Sequence, residues 1–147
     1  MSRPVIKKAF AIDRGPYGMI WRAYLEAEDP DGDMERIAVR VDQVGFGSYP
    51  TSWIVLKPEY RWHFLGYLQW NTFSSSGSSL REWTRLTVKV SIFDRAGNES
   101  DEQTFPVTFL SGEEEGDGSL LPNPFHVEDL PCIGFIHVDL TDPSLGF

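Results

Sequence analysis

The sequence predicts an all-β protein, an antiparallel sandwich of about seven strands followed by an extended C-terminal tail carrying one extra strand. Three observations predict it. Apolar residues alternate with polar ones at period two through the first 112 residues, the mark of half-buried strands. Clusters of Gly, Pro, Asp, Asn and Ser recur between the alternating runs, and a helical period is almost lacking. The antiparallel architecture that fits this spacing over about 100 residues is the immunoglobulin-like sandwich.

The strands follow in order. Val5 to Ile12 is a less regular candidate. From Met19 to Ala27 the odd positions Met19, Trp21, Ala23, Leu25 and Ala27 are apolar, while Arg22 and Glu26 fall on the other face. The pattern returns at Ile37, Val39 and Val41, then at Trp53 to Lys57. In the aromatic stretch Tyr60 to Trp70, Trp62, Phe64, Leu68 and Trp70 share parity, which assigns Trp62 and Trp70 to the core and His63 to solvent. Leu86, Val88, Val90 and Ile92 form the next run, and Phe105, Val107 and Phe109 the last. Turn-rich segments separate them: 13–16, 29–33, 45–50, the Ser/Gly run 74–79, and 94–98. Antibody domains carry a Cys–Trp–Cys signature, whereas this chain has one cysteine, so an internal disulfide framework is excluded.

Composition changes at Gly112. Residues 113–119 read as an acidic, glycine-broken linker, and Pro122, Pro124 and Pro131 keep the chain extended. Residues 132–140 then read as a strand. The domain reading is a sandwich over 1–112 and an acidic tail over 113–147 with a docking strand near 132–140. A tail of about 35 residues builds no core of its own. Its apolar residues Ile133, Phe135, Ile136 and Val138 are therefore candidates for docking on this sandwich, on a second copy or on another subunit by strand addition.

The 147 residues hold 22 acidic and 13 basic side chains, a formal net charge of −9. All the basic residues lie in 1–112 beside 14 acidic ones, and the tail holds 8 acidic residues and no basic one. With no basic excess or cluster to neutralise phosphate, nucleic acid is not the expected partner. Apolar runs of only a few residues exclude a membrane-spanning helix. The N-terminus lacks the apolar stretch of a secretory signal. The protein is expected in the cytoplasm if Met1 is the native start, and outside the cell, on its surface or in the periplasm if a signal was removed.

Two segments carry a family likeness. Ala27-Glu-Asp-Pro-Asp-Gly-Asp33 looks like the loop between the second and third strands of bacterial immunoglobulin-like, PKD-like and cadherin-like modules. Val90-Ser-Ile-Phe-Asp-Arg-Ala-Gly-Asn-Glu-Ser100 resembles the strand, D-x-A-G-N-x-S, strand ending of the same modules. The chain lacks the aromatic strand followed by Gly-Asp-Gly of PKD domains proper and the cadherin Asp-x-Asn-Asp-Asn linker. The resemblance implies a non-catalytic module used for spacing, adhesion or assembly in surface or extracellular proteins.

In such a sandwich the two acidic loops meet at one end. That brings together Asp29, Asp31 and Asp33 from one loop and Asp94 and Asn98 from the other, a set of oxygens that suits Ca²⁺. Ordinary turn chemistry explains the same residues: Asx hydrogen bonds, a preset proline and a permissive glycine, with Asp94 and Asn98 capping the turn at Gly97 and Arg36 or Arg95 pairing across it. No cofactor is required by either reading.

Catalytic motifs are not found. Cys132 and His137, five apart in a strand, face opposite ways and form no local dyad, and the chain is read as no enzyme. Twenty aromatics exceed what one small core needs. Trp53, Tyr67 and Trp83 are candidates for an exposed surface, either the apolar centre of a protein interface or a platform for a carbohydrate.

Overall fold

A computed structural model describes residues 3–73, 84–110, 121–127 and 129–141. The 74–79 run, Trp83 and the 113–119 linker lie outside the described residues. The described chain forms β1 (Val5–Ala11), β2 (Arg14–Gly15), β3 (Ile20–Glu28), β4 (Met34–Gln43), β5 (Gly47–Ser48), β6 (Ser52–Val55), β7 (His63–Asn71), β8 (Thr84–Asp94), β9 (Gln103–Phe109) and β10 (Cys132–Phe135). A 3-10 turn at Pro58–Tyr60 precedes β7.

The strands stack as two sheets. One has the order β1-β3-β7-β10; the other has the order β2-β9-β8-β4-β5, with β6 also pairing with β4. The period-two reading lands on the register. Trp21, Ala23, Leu25 and Ala27 of β3 point inward, as do Ile37, Val39 and Val41 of β4 and Val88, Val90 and Ile92 of β8. Trp21 and Trp70 meet edge to face at 6.1 Å over this core, and Trp21 meets Phe105 in the same way at 5.9 Å. The Trp21 indole N–H donates to the Ile12 carbonyl at 2.9 Å, so the buried ring leaves no orphaned donor.

Two pairings depart from the antiparallel expectation. β2 runs parallel to β9 and β10 runs parallel to β7. The chain returns to the sheet edge from the far side in the second case, so it enters in the same direction as the strand it joins. In a constant-type immunoglobulin sheet that edge belongs to the fourth strand; here the tail fills it.

The tail therefore seats on its own sandwich. Ile133, Ile136, Val138 and Leu140 are buried in the shared core, each worth about 1.5–3 kcal/mol of apolar burial. Ile133, Ile136 and Val138 thus offer no free binding surface. Of the tail residues expected to form one, only Phe135 is exposed, at 55%. Two glycines permit the approach: a side chain at Gly66 would collide with the Pro131 carbonyl and Ile133, and one at Gly134 with Ile54. Polar groups finish the closure. The Trp70 indole N–H donates to the Val138 carbonyl at 3.1 Å, the Ile136 N–H donates to the Gln69 carbonyl at 2.8 Å, and the buried Gln43 amide donates to the Thr141 carbonyl at 3.0 Å.

Trp62 corrects the parity argument. It precedes β7 instead of lying in it, and its side chain is 64% exposed. It lies in a bend outside the strand, so the shared parity with Phe64 and Trp70 carries no meaning at that position.

Candidate functional site

The loop between β3 and β4 is five residues long and folds back on itself. The Gly32 N–H donates to the Asp29 carbonyl at 3.0 Å, and the Asp31 N–H donates to Asp29 Oδ1 at 2.9 Å, an Asx turn. Gly32 holds a φ of +69°, and a side chain there would strike the Trp62 indole that lies against it. The Asp29 N–H donates in turn to the Trp62 carbonyl at 2.9 Å. Trp62 is thus a wall of this loop that parity could not have placed.

The loop after β8 is built similarly. Asp94 Oδ1 accepts from the Asn98 backbone N–H at 2.8 Å and Oδ2 accepts from the Asn98 side-chain amide at 2.9 Å. The Gly97 N–H closes the turn on the Asp94 carbonyl at 3.1 Å. The loops are tied together by the Arg95 N–H, which donates to the Asp33 carbonyl at 2.9 Å.

These turns place three carboxylates together. One oxygen from each of Asp29, Asp33 and Asp94 lies within 4.8 Å of the others, the one such grouping among the described residues. Asp29 is 1% exposed and Asp94 2%. Asp29 Oδ2 and Asp33 Oδ1 are buried with no hydrogen-bond partner. Ionised carboxylates only accept, so two of them facing each other satisfy neither oxygen, and a buried group left so costs about 1–3 kcal/mol or more.

Of the five residues expected at this pole, the structure brings these three into contact range and leaves two outside. Asp31 is exposed and contributes its backbone N–H to Asp29. Asn98 spends its side-chain amide on Asp94 as a donor. The turn chemistry is therefore present, and it holds the carboxylates in place without neutralising them. Neither arginine does so. Among the described residues Arg36 makes no ion pair; its guanidinium stacks over Trp53 at 4.3 Å and Phe93 at 5.4 Å. Arg95 is exposed and enters through its backbone.

A proton or a cation can relieve such a group. Burial pushes the Asp29 carboxyl up to about 6, the Asp31 N–H opposes this, and the neighbouring Asp33 raises it further. At neutral pH a carboxyl of that value is still mainly ionised, so the proton alone does not relieve Asp29. A cation fits the donor set. Oxygens ligating Ca²⁺ at about 2.4 Å stand no more than about 4.8 Å apart, and an all-oxygen set suits a hard cation over zinc. Asp29, Asp33 and Asp94 would hold it, with backbone carbonyls and water completing the 6–8 ligands.

The aromatic candidates do not form one platform. Trp53 is 44% exposed on β6 and Tyr67 is half-buried on β7. Their strands belong to different sheets and both side chains point away from the core, so the rings face opposite sides of the molecule. Trp83 lies outside the described residues.

No family model matches the chain, and no curated protein matches it. Among solved structures, the CARDB domain of a Pyrococcus furiosus protein, in complex with di-metal ions, is similar at 14% identity. The match covers 73% of this chain and 90% of that chain, with a TM-score of 0.36. No residue is carried over from a likeness this loose.

Proposed function

We propose that the chain is a β-sandwich binding module whose loop pole holds a divalent cation, Ca²⁺ by its chemistry, and whose role is to space or join protein partners in a surface or extracellular assembly. One observation carries the reading: Asp29 Oδ2 and Asp33 Oδ1 are buried with no donor, on carboxylates that come within 4.8 Å of each other and of Asp94. The bacterial immunoglobulin-like character of the two loop motifs supports the same reading. The bound ion would clamp the loops that the Arg95 N–H already ties.

Calorimetric titration of the chelator-treated protein with CaCl₂, paired with thermal melts, tests it. At 100 times the dissociation constant Ca²⁺ adds about 2.7 kcal/mol of stability, and Asp29→Asn or Asp94→Asn removes most of the response. An identical melting temperature with Ca²⁺ and with chelator sinks the reading. Exchange of β10 between two copies would keep the same contacts. A dimer by light scattering of the full chain would therefore move the joining role to the tail.

A further inference from the structure

The tail crosses the outer face of the first sheet before it becomes β10. Phe125, in a proline-rich run, packs its ring 5.8 Å from Tyr24 and is 1% exposed. This explains why Tyr24, on the outward parity of β3, is nearly buried. Beside this contact lies a cavity of about 450 Å³, lined by Arg22, Tyr24, Tyr67, Phe125, His126 and Asp129 among others. Its size falls within the ~300–1,000 Å³ of small-molecule sites.

The lining combines aromatic rings with groups of every hydrogen-bonding kind. Arg22 pairs with Gln69 across β3 and β7, and its Nε donates to Gln69 Oε1 at 3.1 Å. The guanidinium lies 4.3 Å over the Tyr67 ring, which holds it in one plane. Among the described residues it makes no ion pair. Beyond Gln69 it also has a side-chain hydrogen bond with Tyr24, and the N–H groups left over can serve a carboxylate, the partner a guanidinium fork matches best. Asp129 supplies acceptors from a backbone at φ 62°, a left-handed value that Asp tolerates, and His126 supplies a ring nitrogen. A ligand with one carboxylate, several hydroxyls and an apolar C–H face meets all three demands. Tyr24 and Phe125 are nearly buried and the Tyr67 face already carries Arg22, so Leu121, Val127 and Leu130 of the lining would meet the C–H face.

We infer that this cavity binds a sugar bearing a carboxylate, a uronic acid unit, at a site separate from the acidic pole. Titration calorimetry and thermal melts with methyl glucuronide and methyl glucoside test this on the full chain. Chelator is present throughout, so the cation pole stays silent and the two proposals fail separately. The glucuronide binds saturably and raises the melting temperature, while the glucoside binds at least tenfold more weakly. Arg22→Gln lowers glucuronide affinity about 10- to 100-fold, the range for a lost charged hydrogen bond, and leaves the glucoside unchanged. If that variant melts early without ligand, Arg22→Lys replaces it, keeping the charge and losing the fork, and the preference falls. No saturable glucuronide binding overturns the inference. So does equal affinity for the two sugars, or a preference that survives loss of the fork.

Discussion

The acidic pole and the tail seam are both assembled from segments far apart in sequence, and they treat buried groups in opposite ways. Along the seam, awkward groups are matched: the Trp70 indole N–H finds the Val138 carbonyl, and the buried Gln43 amide finds Thr141. At the pole, Asp29 and Asp33 are held in place by turns and keep buried oxygens with no donor. A seam that matches its buried donors in this way is built for stability. A pole that leaves acceptors without donors gives up stability that the proposed cation would restore.

The seam predicts the largest effect. Phe125→Ala removes a ring that is 1% exposed and should cost about 3–5 kcal/mol, read as a lower denaturant midpoint. If it costs less than Phe135→Ala, on the outward face of the same tail, the seam is not structural.

The pole predicts an effect of unusual sign. Asp29 has a folded value near 6 against an ordinary 3.8, so the folded state holds that proton more tightly. Its contribution is full below pH ~3.8 and is lost as pH rises through about 6. Comparing chelator-treated wild type with Asp29→Asn isolates it, because groups such as Asp42, lowered mainly by the Ser48 hydroxyl and also by Lys89, are common to both. The variant should match wild type at low pH and exceed it above pH 6, and added Ca²⁺ should reverse that ranking. Curves that stay parallel across the range would show that the carboxylates are already neutralised from within.

The smallest effect is expected at Phe135. Its side chain is 55% exposed, and Phe135→Ala should change stability by about 0.5 kcal/mol or less. A larger loss would mean that the outer side of β10 is covered in solution.

Much of the sandwich was legible because a half-buried strand writes its two faces into alternate residues. Met19 to Ala27 could be read from that alternation alone. The meeting of the two acidic loops was legible too, since the fold dictates which connections share an end. Trp62 was not, because a parity count holds only inside a strand and Trp62 lies in the bend before β7. The seat of the tail was not, because edge pairing depends on the shape left open by β6 and β7 and on close approaches at Gly66 of β7 and Gly134 of β10, and no local pattern encodes it. Arg22 was legible only as the polar face of β3. Its role beside Phe125 depends on a fold-back about 100 residues later, and the one available sign was a lone aromatic among prolines.

The position of β10 also orders events in time. During synthesis β1 to β9 leave the ribosome before β10, and the side of the sandwich between β6 and β7 stays open until the chain is made as far as Leu140. At about 5–20 residues per second, the roughly 30 residues after Phe109 take about 2–6 s. For that interval the β7 backbone edge is unpaired and the Trp70 indole N–H lacks its acceptor. A nascent chain stalled before Ile133 should therefore be recognised by chaperones as unfinished, and release from them should coincide with the arrival of β10.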